Sequence, residues 1–162
     1  MSTGRSPADQ EGELIERRGE FLLSSESARI DRLAVHRFLS GQSYWAAGVP
    51  QEIVDRAIDH SLCVGVYKDD VQVAFARAVT DRSTFAYIAD VFVLPAYRGD
   101  GLAKWMMDAM LRHPQLQGLR RWLLATRDAH GLYARFGFAP LANPTRLMER
   151  HDPDVYSRGD VR

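Results

Sequence analysis

The sequence predicts a mixed α/β domain in which helices flank a central, mostly antiparallel sheet. Three observations carry this expectation. Two apolar runs, 62–68 and 71–80, are separated only by Asp69-Asp70, a two-residue hairpin signal. A third strand-like run, 84–94, stops at Pro95, which cannot donate to a ladder. Beyond it, Leu102, Trp105, Met106, Ala109 and Met110 recur at the spacing of one helix face.

The remaining elements follow in order. Residues 1–12 are polar and are expected to form a disordered tail; 13–151 form the domain and 152–162 a C-terminal tail. A first strand is expected over 20–25. Apolar residues at 30, 33, 34 and 38 predict a helix over 30–39, and those at 53, 54, 57 and 58 predict another over 51–60. Between these helices lies a loop carrying two large aromatics, Tyr44 and Trp45. The helix from Leu102 should run to about His113. A short apolar strand follows over 120–126, then a short helix over 129–138 ending at Gly137, a residue suited to a left-handed cap. Residues 146–151 are expected to close the sheet as a last strand.

Composition narrows the function classes. With 162 residues, 46% of them hydrophobic, the chain can build one domain with a sizeable core. Twenty-one basic residues balance twenty-one acidic ones, so no nucleic-acid or membrane partner is expected. The single cysteine, Cys63, allows no internal disulfide and no zinc cluster, and no metal is expected. It sits in the apolar run 62–67, where it reads as a core filler. The N-terminus lacks an apolar signal segment, and no stretch is long enough to span a bilayer, so a cytoplasmic location is the default.

Chemistry concentrates in the loop after Pro95. Gly99 and Gly101 allow a sharp turn with exposed N–H groups, and the helix that follows adds its positive dipole end. Arg98 contributes a charge and a fork of donors suited to phosphate. Together these read as a diphosphate site, the bland alternative being a glycine-rich turn that merely joins strand to helix. A nucleotide-hydrolysing loop needs Gly-Lys-Ser/Thr, whereas Gly101 is followed by Leu102-Ala103. The Gly-x-Gly-x-x-Gly of dinucleotide folds fails at Lys104.

What remains, Arg98-x-x-Gly101-x-Ala103, resembles the Arg/Gln-x-x-Gly-x-Gly/Ala signature of the GNAT acetyltransferase superfamily. About thirty residues on, Ala129, Leu132, Tyr133, Gly137 and Phe138 match that family's Ala-x-x-Leu-Tyr-x-x-x-Gly-Phe motif. The likeness runs from about Leu62 to Arg150, and more loosely from Glu20 onward. The resemblance implies a GNAT fold and acetyl-CoA as co-substrate. The pyrophosphate would lie on Arg98, Gly99, Asp100, Gly101, Leu102, Ala103 and Lys104, and the pantetheine arm along the backbone of Val91, Phe92 and Val93.

The resemblance further implies an N-acetyltransferase in which a primary amine attacks the thioester directly in a ternary complex. The acceptor would be a small or amino-acid-like molecule, with a protein amine as a second possibility. Tyr133 would donate a proton to the departing sulfur, as a phenol of ordinary pKa about 10 can at neutral pH. Its alternative is core packing beside Phe136. For a base, the family often carries a glutamate on the strand of Asp90, and this chain has none there. Asp90 is the nearest carboxylate, with Tyr87 and His130 behind it, and could instead fix loop geometry. Thr126 stands where many members carry asparagine, and can cap the helix or bond the pantetheine. Asp100 should point to solvent, because facing phosphates would be repulsive. Tyr44, Trp45 and Tyr87 are the candidate acceptor contacts. A monomer and a homodimer both remain open, with Arg17, Arg18, Trp122 and Tyr156 as unassigned surface candidates. The competing function is a non-catalytic acyl-CoA-binding sensor or interaction module.

Overall fold

The structure, a computed structural model, describes residues 12–158. Apart from Gly12, the tail expected over 1–12 lies outside them, as do the last four residues of the tail expected at the C-terminus. Six strands form one sheet in chain order: β1 (Ile15–Arg18), β2 (Phe21–Ser24), β3 (Leu62–Lys68), β4 (Val71–Thr80), β5 (Phe85–Val93) and β6 (Arg121–Leu124). All neighbours are antiparallel except β5 and β6, which are parallel. The helices are α1 (Arg32–Gln42), α2 (Gln51–Asp59), α3 (Leu102–Arg112) and the short α4 (His130–Ala134).

The β3–β4 hairpin falls where the sequence places it. Asp69 and Asp70 both have positive φ, 49° and 62°, the geometry of a two-residue turn whose twist matches its strands. Helix α1 starts two residues later than its periodicity suggests. The Asp31 side chain accepts a hydrogen bond from the Ala34 N–H at 3.0 Å, and Ile30 packs into the core just outside the cap.

Two differences from the sequence reading stand out. The chain gains an edge strand, β1, which turns through Gly19 into β2. The strand expected over 146–151 does not form. Asn143-Pro144 leads into a single turn at Pro144–Arg146, and Leu147 and Met148 stand exposed, Met148 by 96%. Adjacent apolar residues would face opposite sides of a strand, so this segment has no single face to bury.

The sheet separates two cores. Strand alternation sends Leu62, Val64, Val66, Ala74, Ala76, Ala78 and Ile88 toward α3, where they meet Trp105, Met106 and Met110. Cys63, Phe75 and Phe92 point the other way, against Val35 and Leu39 of α1 and Val54 and Ile58 of α2. Burial pushes the Cys63 thiol up to about 12, so it remains an inert thiol in the core. No helix among the described residues is long and apolar enough to cross a membrane.

Candidate active site

The site is built where β5 breaks its own rhythm. Ala89 pairs with Arg77 and Phe92 with Phe75, so two residues of β5 oppose one of β4. This is a β-bulge, and its first residue, Asp90, takes φ 54°. A left-handed conformation inside a strand is tolerated by a short polar side chain better than by a branched one. The bulge turns Ala89 and Asp90 toward the α1–α2 face together, and returns Val91 and Val93 to the α3 side. The Phe92 side chain stacks on Phe38 with ring centroids 4.0 Å apart, which leaves only its backbone for any groove.

Pairing between β5 and β6 ends at Ile88 and Leu124. Past that point the two strands part, and β5 from Ala89 to Val93 has no ladder partner on that side. A groove of about 300 Å³ opens beyond them, lined by Val93, Tyr97, Arg98, Gly99, Gly101, Leu102, Ala103, Lys104 and Leu132. Gly101, at φ 75°, sits at the head of α3, and the first N–H groups of that helix have no intrahelical partner. Arg98 donates from Nε to the Val93 carbonyl at 3.1 Å, which fixes the loop and leaves its outer nitrogens exposed. The groove therefore brings together most of the residues expected to hold pyrophosphate. Asp100, also expected there, is exposed and does not line it. Tyr97 was not anticipated; its place one residue before Arg98 was the available signal.

The Thr126 hydroxyl accepts a hydrogen bond from the Ala129 N–H at 3.0 Å, holding the start of the tyrosine helix. Tyr133 on that helix is buried and packs edge-on against Phe138 at 6.0 Å, and its hydroxyl makes no hydrogen bond among the described residues. Burial, with a smaller contribution from Tyr44, raises its phenol above the usual value, so it stays protonated.

On the opposite face, the Asp90 carboxylate is held by two side chains. Trp45 Nε1 donates to it at 2.9 Å, and Arg77 donates from Nε at 2.9 Å and from Nη2 at 2.8 Å. Arg77 also donates to the Ser61 hydroxyl at 3.1 Å. Both ends of the ion pair are nearly buried, 16% and 13% exposed. Arg77 was missed from sequence, although a lone charge inside the apolar run 71–80 is a visible irregularity. Trp45 meets Tyr44 edge-on at 5.0 Å, and the Arg127 guanidinium lies 3.8 Å from the Tyr44 ring centroid. A cavity of about 150 Å³ lies beneath Trp45, between α1, α2 and the sheet, and reaches Arg77, Asp90 and Tyr156. Tyr87 is half-buried, pairs with Val79 and Leu123, and lines neither this cavity nor the groove. His130 is exposed at the first residue of α4.

Known proteins agree with this architecture. The model of the acetyltransferase (GNAT) family, whose members use acetyl-CoA, matches residues 32–138. A Gibberella zeae protein assigned as an acetyltransferase is 31% identical over 140 residues, 73% of this chain and 78% of its own. A crystal structure of a GNAT-family protein from Xanthomonas campestris is 52% identical, covers 87% of this chain and 99% of its own, and superposes with a TM-score of 0.84. A Clostridium acetobutylicum protein crystallised with acetyl-CoA shares the fold at 14% identity and a TM-score of 0.51, covering 77% of this chain and 86% of its own. The matched span takes in the bulged strand, the glycine loop and the tyrosine helix, and the chain belongs to the acetyltransferase (GNAT) family.

Proposed function

We propose that the protein is an N-acetyltransferase that moves an acetyl group from acetyl-CoA to a small primary amine within a ternary complex. One observation carries this reading: the parting of β5 from β6 opens directly onto the groove that Arg98 and the head of α3 line. The pyrophosphate is assigned to the free N–H groups of that loop and helix, and to Arg98 and Lys104. The pantetheine is assigned to the unpaired backbone of Val91 to Val93.

With the donor so placed, the thioester reaches the bulge. The amine nitrogen attacks the carbonyl carbon, and a backbone N–H of β5 stabilises the oxyanion that forms. The C–S bond then breaks, the thiolate takes its proton from the Tyr133 hydroxyl, and the amine's own proton leaves to water, from which the phenolate recovers one. Asp90 already holds three N–H donors. An ionised carboxylate offers about four acceptor positions, so one remains to accept from an incoming amine. Orienting the acceptor, in place of acting as the base, is the role this arrangement favours.

Calorimetry with coenzyme A and a thiol-release assay across a panel of amines test the proposal. Coenzyme binding with amine-dependent thiol release is expected. Binding without release for any amine would favour the acyl-CoA-binding module, and no binding would remove both readings.

A further inference from the structure

The cavity beneath Trp45 has a chemistry of its own. Its walls are aliphatic and aromatic, among them Val35, Val54, Ile58 and Phe75, and its charged groups are Asp90 and Arg77, which meet Trp45. Tyr156, from the C-terminal segment, completes the wall beside the helices. At about 150 Å³ it matches the dry, Leu/Ile/Phe-lined cavities that accept a benzene molecule.

Resting on the acetyltransferase reading above, we infer that the acceptor is a primary amine carrying one compact apolar group, phenyl-sized or branched aliphatic. The apolar group fills the cavity, and the amine lies beside Asp90. Three features favour this class. A polyol, an amino sugar or a second ammonium placed among these walls would leave its polar atoms without partners. Arg77 neutralises Asp90, so the carboxylate accepts a hydrogen bond from the amine without presenting a bare charge that would hold it as ammonium. Asp90 also lies on β5 just past the parting from β6, one residue before the backbone assigned to pantetheine, so an amine there faces the donor's path. Trp45, Tyr156 and the small Ala57 of α2 then determine which amines fit.

The test compares kcat/KM for methylamine, isobutylamine, benzylamine, glucosamine and 2,4-diaminobutyrate in the full-length protein with acetyl-CoA. Isobutylamine or benzylamine should exceed the other three by about tenfold or more, since each methylene in an apolar pocket is worth roughly that factor. Ala57→Phe, which fills the cavity, should bring the benzylamine to methylamine ratio down toward one while coenzyme A affinity holds. Should that variant fail to fold, Val54→Ala enlarges the same cavity and should shift preference toward bulkier amines. Equal efficiencies across the panel, or preference for a polar amine, would overturn the inference and leave the acetyltransferase reading intact. If no amine releases thiol, the acetyltransferase reading fails. Quenching of Trp45 fluorescence by benzylamine but not by methylamine, lost in Trp45→Phe, then decides whether the cavity binds apolar amines at all.

Discussion

The indole N–H of Trp45 is bonded to the Asp90 carboxylate at 2.9 Å, which ties the loop between α1 and α2 to the bulge of β5. The contact joins residues 45 positions apart and sets a loop aromatic against the only left-handed residue of that strand. Removing Asp90 strands the Arg77 guanidinium among nearly buried groups. Asp90→Ala should cost about 3 kcal/mol of stability. Asp90→Asn keeps the shape and tolerates the backbone, so it should cost less and lower turnover more than it lowers coenzyme affinity. Urea unfolding and calorimetry separate these outcomes; unchanged stability in both variants would show that the charge pair contributes nothing.

Tyr133 stays protonated at neutral pH, because burial, then Tyr44, raises its phenol above the ordinary value. Tyr133→Phe should lower kcat by roughly 100-fold or more. Coenzyme A affinity should be unchanged. A variant with full turnover would reassign the ring to packing against Phe138.

Arg98 and Gly101 should separate charge from backbone shape. Arg98→Ala removes a charge-assisted contact and should weaken coenzyme A binding by about tenfold or more, with a shallower dependence on salt. At Gly101 a Cβ would meet nothing within 4 Å, so Gly101→Ala meets only the strain of φ 75°. That strain is about 1–2 kcal/mol, visible as a lower Tm. Binding that ignores the Arg98 change would show that the loop holds no phosphate.

His113 predicts an acid-side loss of stability. Its ring is buried between the Ser25 hydroxyl and the Gln115 N–H, each at 3.2 Å, and burial lowers its pKa from 6.5 to about 4. Between those values the unfolded chain binds a proton that the folded chain refuses, so stability is complete above pH 6.5 and falls as pH drops. The loss approaches roughly 3 kcal/mol. Unfolding midpoints at pH 7 and pH 4.5 should draw closer together in His113→Asn, and an unaltered gap would place the acid sensitivity elsewhere.

The fold was legible wherever one residue type punctuates a continuous apolar pattern. Asp69-Asp70 gives both ends of the β3–β4 hairpin, and Gly101 marks the start of α3. Strand β1 was not legible, because Ile15 is followed by Glu16, Arg17 and Arg18 and belongs to an exposed edge. The strand expected over 146–151 failed for a related reason, since Leu147 and Met148 share no face. Within the site, the glycine loop could be read because its chemistry is local. The Arg77–Asp90 pair could not, as it depends on a register shift between strands that no local pattern records. Tyr156 reaches the cavity only after the chain has crossed to the far side of the sheet.

A single sheet stands between two separately packed interiors, one gathered by α3 and the other by α1 and α2. Substitutions that reshape α1 and α2 are therefore insulated from the layer that carries the glycine loop. A lineage built this way can trade one nucleophile for another by redrawing two short helices, while the grip on the donor is inherited untouched.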